Sequence, residues 1–179
     1  MLTEQELNKI ISWLPYREDW VVDRNQTDDN INLYYGELIN SVTKNQLFNA
    51  YYSEDGGLAN YLEFMCYPKV SEEYLGNAIL VCVSMCAPFA TYGQITISKK
   101  QRSFGWGPIF NPEKAYVISD PTLLEIEKSI KVILNHNNVL LLETEFLSRQ
   151  LPNEVAKTLK TENHNEGIQY LHGIFQKTD

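Results

Sequence analysis

Residues 78–87 read Ala78-Ile79-Leu80-Val81-Cys82-Val83-Ser84-Met85-Cys86-Ala87, and Pro88 follows. The run is nearly all apolar and rich in Val, Ile and Cys. It is about half the length a membrane-crossing helix needs. It has the length and composition of a central strand buried on both faces, and Pro88 closes it. Beyond Pro88, Gln94-Ile95-Thr96-Ile97-Ser98 alternates polar with apolar. That period of two predicts a half-exposed antiparallel strand.

Working upstream, Phe48–Tyr52 and Tyr61–Tyr67 read as two further strands. Glu54-Asp55-Gly56-Gly57 between them is a strong turn signal. Residues 31–45 suit a helix: Ile31, Leu38, Ile39 and Val42 share one face, and Tyr34 or Tyr35 fills the missing turn. Residues 16–30, with Glu18, Asp19, Trp20, Asp23, Asp28 and Asp29, read as a solvated loop. The first helix is the clearest element. Thr3 and Glu6 form a capping box; Leu7, Ile10, Ile11 and Leu14 make one stripe, and Pro15 stops it.

Downstream, residues 99–112 form a loop by their Gly and Pro content, and Tyr116–Ile118 reads as a short strand. Asp120-Pro121 opens a helix, with Asp as cap and Pro in the first turn. Leu123, Ile126, Ile130, Ile133 and Leu134 form its buried stripe. Glu127 and Lys131 pair at i, i+4 on the outside, and Asn137-Asn138 ends it. Val139–Leu142 is a short buried strand, a weak helix follows Pro152, and Ile168, Leu171 and Phe175 mark a C-terminal helix, with a strand as the alternative. Strands joined by hairpin-like links and flanked by helices predict one α+β domain over residues 1–179, with a mostly antiparallel sheet.

The 179 residues are 44% hydrophobic and 21% charged, with net charge −8. Such a chain buries a full core without staples or metals. The charge disfavours nucleic acid and anionic membranes as partners. Met1–Leu7 lacks the basic and apolar regions of a signal peptide, so the expected compartment is the cytoplasm. Three cysteines, Cys66, Cys82 and Cys86, fit reduced, buried thiols. On one extended strand Cys82 and Cys86 stand roughly 13 Å apart, beyond disulfide reach.

Charge is unevenly placed. Residues 1–74 hold thirteen acids and five bases, whereas residues 75–179 hold ten of each. Seven of the eleven tyrosines lie between Tyr34 and Tyr74.

The common chemistries find no support. His136 follows a helix and suits a dipole partner, His164 lies in a polar loop, and His172 reads as a satisfied core residue. No nucleophile elbow surrounds a serine, so no triad forms. No Cys-x-x-Cys exists, and Asp23–Asp29 lacks the Gly and terminal Glu of a calcium loop. Gly105-Trp106-Gly107-Pro108 is not followed by the Lys-Ser/Thr of a phosphate loop. Lys99, Lys100 and Arg102 beside Phe104 and Trp106 offer little affinity for a single strand against the net charge. Glu143 and Glu145 on one side of a strand are the remaining candidate for metal or acid/base chemistry. The expectation is a non-enzyme without cofactor or metal. An enzyme built on that carboxylate pair and an assembly subunit are the alternatives.

The acidic, tyrosine-rich portion is the candidate interface. Tyr combines contact area with few rotors and a polar tip. Asp19, Asp23, Asp28, Asp29, Glu37, Glu54 and Asp55 would steer a basic protein, with Tyr34, Tyr35, Tyr51 and Tyr52 as contact residues. In size, acidity, Tyr/Trp content and a late Asp120-Pro121 helix followed by a short apolar strand, the chain resembles the immunity proteins of bacterial polymorphic toxin systems. The resemblance implies a cytoplasmic protein without catalytic residues that binds a cognate toxin domain tightly and blocks it.

Overall fold

The computed structural model describes residues 35–52, 61–70, 74–84, 88–97, 111–153 and 169–175. Helix α1 covers residues 35–43. Strands β1 (Phe48–Tyr52), β2 (Tyr61–Pro68), β3 (Gly76–Ser84) and β4 (Phe89–Ile97) follow. Helix α2 (Leu124–His136), strand β5 (Leu140–Leu141) and the short helices α3 (Thr144–Leu147) and α4 (Tyr170–Ile174) complete the described elements. The five strands lie in chain order, β1-β2-β3-β4-β5. The first four form an antiparallel meander, and β5 joins β4 in parallel after the α2 crossover. The α+β class and the mostly antiparallel sheet are as the pattern predicts.

β3 occupies the middle position. Every residue from Ala78 to Ser84 is buried, as a strand with no polar face must be. One face of the sheet presents Ile79, Val81 and Val83 with Leu62, Phe64 and Cys66. It packs beneath Leu38 and Val42 of α1 and the Leu123, Ile126, Ile130, Leu134 stripe of α2. The other face presents Leu80 and Cys82 with Tyr61 and Phe89, covered by Phe146, Leu147, Leu171 and Phe175. Two apolar layers on one sheet explain why β3 lacks alternation: both of its faces lie against helices. β4 begins five residues earlier than the alternating stretch. Phe89–Gly93 is buried and only the part from Gln94 onward is half-exposed, so its first half carries no period-two signal.

The N-terminus of α2 is fixed by polar bonds. Asp120 accepts from the Thr122 N–H at 2.9 Å, and Pro121–Leu123 form a leading 3₁₀ turn. Gln94 Oε1 accepts from the N–H groups of Ser119 and Asp120 at 2.8 and 3.0 Å, which ties the cap to β4. At the other end, Asn138 takes a positive φ of 56°. Asn tolerates this conformation better than branched residues do, so the helix stops where its Asn pair predicts.

Two local expectations are corrected. Tyr116–Ile118 is no strand: Tyr116 has φ 63°, which breaks extension, and only Ala115 bridges to Gly93. Its ring is instead a wedge, packed edge-on against Tyr92 at 4.8 Å. Its hydroxyl donates to the Leu142 carbonyl. Glu127 is not on the outside. Its side chain is 13% exposed and takes the Lys131 ammonium at 2.8 Å. It also accepts the buried Tyr92 hydroxyl at 2.5 Å. The i, i+4 pair therefore roofs a buried phenol, with Lys131 Nζ 5.8 Å from the Tyr92 ring centroid. The expected helix over residues 3–14, the loop at 16–30, the turn at 54–57, the basic–aromatic loop and residues 154–168 lie outside the described residues.

Candidate docking surface

The β1–β2 register decides which aromatic rings face outward. Tyr51 pairs with Met65, Asn49 with Tyr67 and Tyr52 with Phe64. Successive strand residues point to opposite faces. Tyr51, Glu63, Met65 and Tyr67 therefore share the face opposite α1 and α2. Tyr52 falls on the other face, stacked on Phe64 at 5.2 Å.

Tyr51, the penultimate residue of β1, is 48% exposed. Tyr67, diagonal to it, stacks on Tyr74 with centroids 5.1 Å apart and planes within 12°. Diagonal positions on one face lie within reach of aromatic side chains. The meander also gathers exposed aliphatics at one end of the sheet. Phe48 opposes Pro68, so Leu47, 65% exposed, stands beside the β2–β3 connection. That connection carries Val70 at 43% and Leu75 at 45% exposure. Singly exposed apolar residues are ordinary; three of them around a tyrosine stack at one sheet end make a patch of the kind found at interaction sites.

The connection has a conformational lock. Gly76 has φ +151°, and a Cβ there would stand 2.9 Å from the Tyr74 hydroxyl. Glycine thus lets Tyr74 lie across the start of β3, with its hydroxyl donating to the Asn77 carbonyl at 2.7 Å. Burial first, and then the Asp120 charge, push the Tyr74 pKa up, so the phenol stays neutral.

The expected interface residues separate. Asp19, Asp23, Asp28, Asp29, Tyr34, Glu54 and Asp55 lie outside the described residues. Glu37 is exposed on α1, and Tyr51 is exposed on β1. Tyr35 is buried, its hydroxyl donating to the Ser84 carbonyl at 2.9 Å. It fills the helix stripe and locks α1 to β3, a core role instead of a contact role. Tyr67 and Tyr74 were not singled out by sequence, although both belong to the run of seven tyrosines. The available signal was the period of two in β2, which places Tyr67 with Met65.

The alternative carboxylate pair is also corrected. Glu143 and Glu145 are not on a strand: Glu143 immediately precedes α3 and Glu145 lies in its first turn. Both are exposed, and Glu145 meets Arg149 at 3.3 Å. His172 is exposed as well, not a core residue, whereas His136 does end α2. Cys66 and Cys82 are buried free thiols, as expected, and burial pushes both pKa values up. Among the described residues no group of His, Cys, Asp and Glu could hold a metal. None of their helices is long and apolar enough to cross a membrane. Comparison with protein-family models, curated proteins and solved structures returns no match.

Proposed function

We propose that this chain is a non-catalytic, stoichiometric protein-binding inhibitor, an immunity protein that neutralises a basic bacterial toxin domain in the cytoplasm. The observation that supports this most directly is Tyr51. It stands 48% exposed on β1, with Glu63 and Tyr67 on the same face. It also belongs to the part of the chain that carries the entire excess of negative charge. A large ring with a polar tip contributes contact area at little entropic cost, and excess negative charge raises the encounter rate of a cationic partner. The inhibitor acts by covering the toxin's active site or an adjacent surface, which requires no chemistry of its own.

The test is direct binding of the toxin domain encoded beside this chain, measured by titration calorimetry. A one-to-one complex with sub-micromolar Kd is expected, and Tyr51→Ala should weaken it by about 1–2 kcal/mol. Charge reversal at Asp28 and Asp29 should slow association and flatten its salt dependence. Failure to find any sub-micromolar protein partner would overturn the proposal.

A further inference from the structure

β1 and β5 are the two ends of the sheet, and only one of them is defended. Natural sheets blunt their edges with shortness, charge or proline, because an open edge invites another strand. β5 is two residues long. β1 runs for five, and the sequence from Asn45 to Ser53 holds no charged residue and no proline. Among the described residues β1 pairs with β2 alone.

The register shows which backbone groups of β1 point away from β2. In an antiparallel ladder, pairs that exchange two hydrogen bonds alternate with pairs that exchange none. Phe48 stands opposite Pro68, which has no N–H to give. That pair therefore belongs to the unbonded kind, and so does Ala50 with Cys66, two residues along. The same assignment explains why the β2–β3 ladder ends at Cys66–Ile79. The next bonded position toward β3 falls on Pro68, where the donor is missing. Phe48 and Ala50 thus direct their N–H and C=O groups to the outer edge of the sheet.

We propose that this edge receives an extended, basic strand of the protein partner, which joins the sheet beside β1. The assignment rests on the docking function proposed above and specifies how the partner is held. Backbone hydrogen bonds at Phe48 and Ala50 supply affinity, and side chains laid beside Asn49 and Tyr51 supply selectivity. Charge chooses the occupant. At net charge −8 a second copy of this chain is repelled, whereas a basic strand is attracted. The described charges also orient it. Exposed Lys44 and Lys69 flank the Phe48 end, and Glu63 lies on β2 just past the Tyr52–Phe64 pair. The added strand therefore carries its cationic residues at the Tyr52 end.

The probe is acetyl-Thr-Val-Thr-Val-Lys-Lys-amide, read by backbone amide hydrogen exchange in NMR. At a peptide concentration about four times its Kd, exchange at Phe48 and Ala50 should slow about fivefold, with Asn49 unchanged. An analogue N-methylated on two consecutive residues, one on each edge of the peptide strand, should give no protection. The acidic analogue ending in Glu-Glu should bind more weakly. Ala50→Pro removes only the outward donor, a substitution an edge strand tolerates, and it should abolish peptide binding. The wild-type exchange pattern decides the matter whether or not that variant folds. Equal binding of the N-methylated or the acidic analogue, or protection that bypasses Phe48 and Ala50, would overturn the inference. Protection that rises with protein concentration in the absence of peptide would overturn it too, in favour of a second copy. The two proposals fail separately. If the toxin domain binds while Phe48 and Ala50 exchange as in the free protein, docking stands and strand addition falls. If the peptide protects them while no basic protein binds below micromolar Kd, strand addition stands and the inhibitor reading falls.

Discussion

β3 and β1 are strands of one meander, two positions apart, and they have opposite surroundings. β3 is roofed on both faces, by α1 and α2 on one side and by α3 and α4 on the other. β1 turns Phe48 inward and Tyr51 toward solvent. The first arrangement removes apolar surface from water and gives stability; the second leaves a rigid aromatic surface available for recognition. The comparison teaches that the same residue type serves both ends. Tyr92, fully buried, hands its hydroxyl to Glu127, while Tyr51 keeps nearly half its surface exposed.

The comparison breaks most visibly if the centre is not the seat of stability. Leu80→Ala should cost about 2–5 kcal/mol in denaturant unfolding, because it leaves a cavity between β3 and the α3–α4 layer. A loss no larger than that of a β1 surface variant would dissolve the distinction. Next is the buried phenol. Tyr92→Phe leaves a nearly enclosed carboxylate short of one donor, at a cost of about 2 kcal/mol, read from the same unfolding curves.

The pH limits sharpen the same contrast. Burial pushes the Glu127 pKa up, but the Lys131 and Tyr92 hydrogen bonds and the Lys131 charge outweigh it, and the net shift is downward from 4.5. Its contribution is present above that ordinary value and is lost as pH falls through the lower folded-state pKa. The Tyr92→Phe variant should therefore show a shallower acid limb. At high pH, burial above all raises the pKa of Tyr92 and of Tyr116 above the ordinary 10.0. Their contribution is complete below pH 10 and is lost as pH rises through the folded-state values. A phenolate titration should show these two ionising together with unfolding.

Smaller effects belong to the β2–β3 end of the sheet. Gly76→Ala should cost about 1 kcal/mol by forcing an L-residue into an unfavourable φ. It should also displace the Tyr74 ring, seen as altered ring-current shifts at Tyr67. Leu47→Ser should change stability by less than about 0.5 kcal/mol, read from the same unfolding curves.

Much of the fold was legible. Phe48–Tyr52 stands in the structure with the bounds its sequence implies, because a short run of β-favouring residues flanked by polar ones has few alternatives. Asp120-Pro121 marks its helix start because capping is local chemistry. Tyr116 was misread, since Tyr-Val-Ile has strand composition but its backbone is bent by the Gly93 bridge and the Tyr92 contact, both distant in sequence. The docking surface was half legible. The tyrosine-rich region was visible, but Tyr35 looked like a contact residue and is core.

Sequence alone determined the segments of β1, β2, β3 and α2, the cap of α2, the negative charge of the early region and the central place of residues 78–84. Each of these depends on residues within a few positions of one another. Tertiary structure decided which tyrosines face water, that Glu127 shelters Tyr92, that Tyr67 stacks on Tyr74, and that Asn77 ties β3 to Asp120 at the start of α2. Alternation tells a strand that neighbouring side chains part company; only packing between segments far apart in sequence settles which of the two sides is covered.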